Sequence, residues 1–374
     1  MLRALDRWLL PYLRRPRRVW SDHQDWHVIL TVCDHFEPFH DTDLAGARTA
    51  MDSWEERLPL LAEKYRDASG TGFKHTFFYP VEQYHEEIVG RLASLCRKTG
   101  SEVEVHLHHQ HDTAEGLEDK LVRGIADLQQ HGCLGADPSG QTRFGFIHGN
   151  WALDNSGHHD GRCCGVSNEL GILRRLGCYA DFTFPSAPDG SQPSTINSIY
   201  YAKDTPEPKS HDHGVAAANG VTNGLGDMQD HLLLIQGPLG FNWQRRKWGL
   251  IPKIENAEVS GANPWSAQRW PLWLELAPAV AGGPPWIFVK LHTHGGIRRN
   301  YQTLLSSAAE AFHSALTGTG KIPGSEGSRS TFRYATAREM ANMVHAAEDG
   351  CTGDPATYRD YKITRPPGLT RAGG

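Results

Sequence analysis

Short apolar runs alternate with longer amphipathic stretches through the first half of the chain. WHVILTVCD (26–34), KHTFFYP (74–80), SEVEVHLHHQHD (101–112), RFGFIHG (143–149) and YADFTFP (179–185) read as strands, being short, rich in β-branched and aromatic residues and bounded by turn formers. Helical periods fall between them, at about 45–64, 85–100, 113–131 and 168–177, and Gly100 is placed to stop the second. Strands that alternate with helices predict a parallel α/β sheet or barrel. In SEVEVHLHHQHD the alternation also sorts the side chains, with Val103, Val105 and Leu107 on one face and Glu104, His106 and His108 on the other.

The rhythm breaks at residues 186–285, which are rich in Gly, Pro, Asn and Trp. That length predicts a structured excursion rather than a bare loop, with short strands at INSIYYA and DHLLLIQGPL and a helix near 271–280, covering one end of the domain. A last long strand, WIFVKLHTHG (286–295), precedes helices at about 301–316 and 336–348. The expected organisation is a basic arm (1–25), one body (26–350) and a Pro/Gly-rich tail (351–374).

Composition removes some partners. The chain has 374 residues, 39% of them hydrophobic, enough for a large core, and its net charge of −5 gives no global basic field, so nucleic acid is not an expected partner. In the arm, Leu2, Leu5, Leu9 and Leu13 lie at helical spacing beside six arginines, interrupted by Pro11. It is too short to span a bilayer. The expectation is a helix docked on the domain, with peripheral contact to an anionic membrane as the alternative. The seven cysteines lack paired zinc-knuckle spacing and no secretory leader precedes them, which fits a reducing cytoplasm, with Cys163 and Cys164 read as ordinary thiols.

Candidate chemistry collects where strands end: Asp34 and His35 after the first, His106 to Asp112 after the third, His148 to Asp154 after the fourth, His292 and His294 after the last long one. Imidazoles from separate strand tips, with a carboxylate, suit a borderline divalent cation, zinc foremost, held with an open coordination position. Lys290, His292 and His294 alternate as Glu104, His106 and His108 do, so Glu104 and Lys290 are expected in a charged layer beneath the histidines, paired within it. KSHDHG (209–214) reads as a polar loop. Trp151 and the tryptophans at 243, 248, 265, 270, 273 and 286 could stack on sugar rings, although core packing accounts for at least half.

At TVCDHFEP (31–38), EVHLHHQHD (104–112) and VKLHTHG (289–295) the chain resembles the NodB-like polysaccharide deacetylases. The resemblance implies an irregular (β/α)7-type barrel and a metal-dependent hydrolase acting on an N-acetylated sugar or polysaccharide. Position by position it implies Asp34 as a metal-binding acid, His108 as a metal histidine and His292 as the acid that protonates the leaving amine. Asp112 stands where the family has a second metal histidine, with His106 able to replace one ligand. Cys33 stands where the family has its catalytic base, leaving Glu37, His148 and Asp154 as substitutes. Asn150, Trp151, Asp154 and His294 are the expected sugar-binding residues, and a carbohydrate the expected substrate. The alternatives are a glycoside hydrolase using Asp34 with Asp154 or Glu37, and an inactive carbohydrate-binding relative, for which Cys33 speaks.

Overall fold

The computed structural model describes residues 4–20, 24–157, 160–220, 231–317 and 329–369. In chain order the strands are β1 (Asp25–His35), β2 (Thr76–Pro80), β3 (Glu102–Leu107), β4 (Gly135–Ala136), β5 (Thr142–His148), β6 (Cys178–Asp181), β7 (Ile199–Lys203), β8 (Val215–Ala216), β9 (His231–Ile235), β10 (Gly240–Lys247), β11 (Ile251–Glu255), β12 (Trp286–Thr293) and β13 (Arg329–Tyr334). The helices are α1 (Leu5–Arg14), α2 (Leu44–Lys64), α3 (Glu86–Thr99), α4 (Ala114–Gln130), α5 (Glu169–Arg175), α6 (Trp270–Leu276), α7 (Arg298–Leu304), α8 (Ser307–Thr317) and α9 (Ala337–Glu348).

A mostly parallel sheet in the order β12-β1-β2-β3-β5-β6-β9-β7-β8 organises the chain, with β13 added beside β1. Among the described residues no strand ladder joins the two ends of that order. The excursion does not simply cap the domain. Its INSIYYA segment contributes β7 and its DHLLLIQGPL segment β9; β9 joins β6 in parallel and β7 adds to β9 antiparallel, while β10 and β11 form a separate ribbon. β13, whose short run carries little periodicity, was not expected from sequence, and the helix expected at 301–316 is two helices, α7 and α8.

Strand parity decides which side chains meet. On β1, Val28, Leu30 and Val32 join the core formed with α2, α3, α4 and α5, while Ile29 and Cys33 face a second core closed by α9. Val103, Val105 and Leu107 go to the first core, as their alternation predicted. Arg338 of α9 plugs the second face, fully buried, with its guanidinium 2.8 Å from Glu102 Oε1. Glu104 and Lys290 are both buried but do not form the expected pair. Tyr179 and the Gly145 N–H donate to Glu104, each at 2.6 Å, and Lys290 donates to the carbonyls of Phe182 and Phe184. Both groups find their partners at β5, β6 and the segment that follows β6, so neither needs the other.

The arm docks. Trp8 and Tyr12 pack with Leu239 and Leu276, and Arg15 reaches Glu275 at 2.7 Å. Leu10 and Leu13 stay exposed, and Leu2 lies outside the described residues. No helix among the described residues is long and apolar enough to cross a membrane.

One buried histidine makes a prediction about acid stability. His313, packed against Phe73 and Trp265 with Nδ1 2.8 Å from the Tyr334 hydroxyl, has its pKa pushed by burial down to about 3. Between pH 6.5 and 3 the unfolded chain takes up a proton that the folded chain refuses, so stability falls as pH falls, by about 1.4 kcal/mol per pH unit for this residue. Denaturant titrations across that range should give a slope shallower by one proton in His313→Gln than in the wild type. Equal slopes would place the acid sensitivity elsewhere.

Candidate active site

At the carboxyl ends of β1, β3 and β12 the chain opens a cleft of about 830 Å3, lined by His35, Glu37, His108, Trp151, His292 and His294 among others. His35 ends β1 on the same side as Cys33, and His106 and His292 follow the same parity on their strands. The rings crowd together: His35 stacks on His294 with centroids 4.5 Å apart, and His106 lies 5.0 Å from His35 and 4.5 Å from His108.

Within this crowd, donor atoms of His35, Glu37 and His106 all lie within 4.8 Å of one another, and all three residues are buried. His106 Nδ1 is 2.8 Å from the Ile147 carbonyl oxygen, an acceptor that fixes a proton on that nitrogen. Its Nε2 faces Glu37 Oε1, 3.3 Å away. His35 Nε2 is buried without a hydrogen-bond partner. Burial holds the His35 pKa well below its ordinary value, so the ring is neutral. For Glu37, burial works to raise the pKa, but contacts with His106 and His108 outweigh it and keep the carboxylate ionised.

Two imidazoles and one carboxylate beside an open cleft match the donor chemistry of a His2Glu divalent site with a free position. The Ile147 carbonyl supplies the outer hydrogen bond that orients a ligating ring. His108 stands beside this group, its Nε2 3.2 Å from Glu37 Oε1 and its Nδ1 2.7 Å from Glu82 Oε1. Burial lowers its pKa, but the two carboxylates raise it further, to about 9.

Of the residues expected from sequence, the cleft brings together His108, Asn150, Trp151, His292 and His294 at its lining, with His106 in the ligand group beside it. Four expectations need correction. Asp34 faces away from the ligand group, toward α2; its Oδ2 takes His75 Nε2 at 2.8 Å and its Oδ1 the Gly295 N–H, because one step along the strand reverses the face. Asp112 does not join His108; it lies 3.1 Å from His109 Nδ1 and 2.6 Å from Lys120 Nζ. His148 is wholly buried against His109, and Asp154 accepts from the Ser210 N–H at 2.7 Å and from the Ser210 hydroxyl, so neither lines the cleft. Cys33 lies in the second core, where burial pushes its thiol up to about 12, beyond use as a base.

His35 is a candidate ligand not expected from the sequence, where Glu37 is read as a base or a glycosidase carboxylate rather than as a metal donor. The available signal was parity: His35-x-Glu37 sits on the histidine-bearing side, whereas Asp34 does not. Trp265, Trp270, Trp273 and Trp286 are core residues, and KSHDHG is a packed turn in which His211 stacks on Phe184.

The turn after β12 sets His294 in place. A Cβ on Gly295 would run into Asp34 Oδ2 and the Trp54 ring, and one on Gly296 into the backbone of Glu37. Gly295→Ala should therefore destabilise the protein by about 1–3 kcal/mol, the usual cost of overpacking, and displace His294. Thermal unfolding checks the first effect and the His294 ring signals in NMR the second; unchanged values in both would show that the turn has slack.

No family model matches the chain, and no curated protein matches it. Among solved structures the chain is similar to a Mycobacterium smegmatis protein described as a polysaccharide deacetylase, with 13% sequence identity, 89% of this chain and 94% of that one covered, and a TM-score of 0.45.

Proposed function

We propose that this cleft is the active site of a metal-dependent hydrolase that removes acetyl groups from an N-acetylated sugar or polysaccharide. The observation that carries the reading is the convergence of His35, Glu37 and His106 donor atoms at the floor of an open cleft. The sequence resemblance supplies the reaction class, and the (β/α)7-type barrel belongs to the same proposal. These three residues, rather than Asp34, His108 and Asp112, would hold the ion. When bound, a divalent ion supplies Lewis acidity toward an acyl carbonyl and toward water.

The chain's own groups divide the remaining tasks. His292 and His294 line the cleft, and burial keeps the pKa of each below the ordinary histidine value, so both rings are neutral and able to accept a proton at neutral pH. His292, once protonated, is placed to return that proton to a leaving amine, the role the resemblance gives it. Trp151, 6.0 Å from the His294 ring, offers a flat face for a pyranoside and Asn150 a polar edge. Membrane contact by the arm, through exposed Leu10 and Leu13, and a cytoplasmic location remain part of the proposal.

The glycoside hydrolase alternative requires paired carboxylates across the cleft. Of its three named members, Asp34 and Asp154 are both engaged elsewhere, and Glu37 lines the cleft without either of them beside it. The test is release of free acetate from N-acetylated oligosaccharides by chelator-stripped protein reloaded with Zn2+. Acetate without new reducing ends supports the proposal. Reducing ends without acetate, or neither product from any sugar tried, overturn it in favour of a glycosidase or a binding protein.

A further inference from the structure

A second group of donors lies inside the molecule, apart from the cleft lining. His109 follows β3, His148 ends β5, Cys164 sits in the long β5–α5 connection, and Glu169 opens α5; all four are buried, with one donor atom from each within 4.8 Å of the others. His109 Nε2 is 2.9 Å from His148 Nε2 and 3.2 Å from Glu169 Oε1, His148 Nε2 is 3.5 Å from Glu169 Oε2, and Cys164 Sγ is 3.6 Å from that oxygen. Zinc–nitrogen distances of about 2.0–2.1 Å and a zinc–sulfur distance of about 2.3 Å place tetrahedral neighbours roughly 3.3–3.7 Å apart. With Glu169 Oε2 as the donor, its separations from His148 Nε2 and Cys164 Sγ already fall in that range, and the two histidine nitrogens lie somewhat closer.

The proton positions point the same way. His148 Nδ1 meets the Gly149 carbonyl oxygen, which fixes a proton there and leaves the Nε2 lone pair facing inward. His109 Nδ1 lies 3.1 Å from Asp112 Oδ2 but out of line for a hydrogen bond, and its Nε2 faces both His148 Nε2 and Glu169 Oε1. The His148 Nε2 lone pair and the Glu169 carboxylate therefore converge on His109 Nε2. Such a meeting of acceptors is unfavourable in a dry interior unless a proton or a cation lies between them. The outer contacts, Asp112 on His109 and the Asp154 N–H on Glu169 Oε2 at 2.6 Å, are those that orient metal ligands.

We propose that His109, His148, Cys164 and Glu169 form a structural zinc site, distinct from the cleft. Binding replaces the Sγ–H bond of Cys164 with a bond from sulfur to the metal and releases that proton to solvent. The site would tie β3, β5 and α5 to the connection that carries Asn150 and Trp151 to the cleft. Both of those residues have left-handed backbone angles, φ 54° and 55°, which a fixed connection would help to hold.

The full chain, stripped with a chelator and titrated with Co2+ alone, tests the assignment through the near-ultraviolet sulfur-to-cobalt charge-transfer band. The band should saturate within two equivalents per chain in the wild type and at one in the cleft variant His106→Ala, and vanish in Cys164→Ser, whose zinc content should fall by one equivalent. X-ray absorption of zinc-loaded wild type needs no variant and should show a sulfur neighbour. Cobalt binding without the band, survival of the band in Cys164→Ser, or a zinc shell of nitrogen and oxygen only would overturn the proposal. A proton shared between the two histidines would then account for their contact. Because His106→Ala removes the cleft group alone, failure of the hydrolase reading and failure of this site are separable.

Discussion

His106→Ala is expected to lower kcat/KM for deacetylation by about a thousandfold or more, roughly 4 kcal/mol of transition-state stabilisation. The ring is fixed between the Ile147 carbonyl and Glu37, whereas the neighbouring His108, whose Nε2 also approaches Glu37 Oε1, is held on its other nitrogen by Glu82 and stands outside the ligand group. Glu37→Gln should act comparably, because it removes the only carboxylate of the group. The two variants should also lose one equivalent of metal at the cleft while keeping their thermal midpoints within a few degrees. His108→Ala provides the contrast. It touches Glu37 and Glu82 but lies outside the ligand group, so it should retain the metal and lose activity only in part. Steady-state kinetics with metal analysis on the same samples decides the matter. Full activity in His106→Ala would remove this cleft as the catalytic centre.

Arg338→Ala should produce the largest loss of stability, about 3–5 kcal/mol, the range for breaking a buried ion pair from one side. Glu102 would lose its guanidinium partner in a buried position, and the carbonyls of Arg359 and Ile363 would each lose one of two donors, keeping Asn342 Nδ2. Chemical denaturation measures the change. Arg338→Met combined with Glu102→Gln should recover part of it, since the second substitution removes the stranded charge. A loss below about 1 kcal/mol in the single variant would show that water or a neighbouring cation compensates.

The residues differ in how far the sequence alone placed them. Period-two alternation in SEVEVHLHHQHD was enough to put Val103, Val105 and Leu107 in one core and His106 on the other face, because a strand allows only two directions. The same rule applied to TVCDHFEP would have separated Asp34 from His35, but the motif comparison fixed on the acid and set parity aside. The histidines after β12 and the His108 region were legible from their positions at strand ends.

The amino-acid sequence by itself therefore determined the parallel α/β plan, the facing of the strands and the end of the sheet at which imidazoles gather, since these follow from local periodicity and short-range sterics. Only the tertiary structure decided which donors meet: His35 with Glu37 and His106, and His109 with His148, Cys164 and Glu169. Those pairings bring together residues from connections of unequal length, and the connections settle by close packing, as at Gly295, and by the requirement that every buried polar group find a partner.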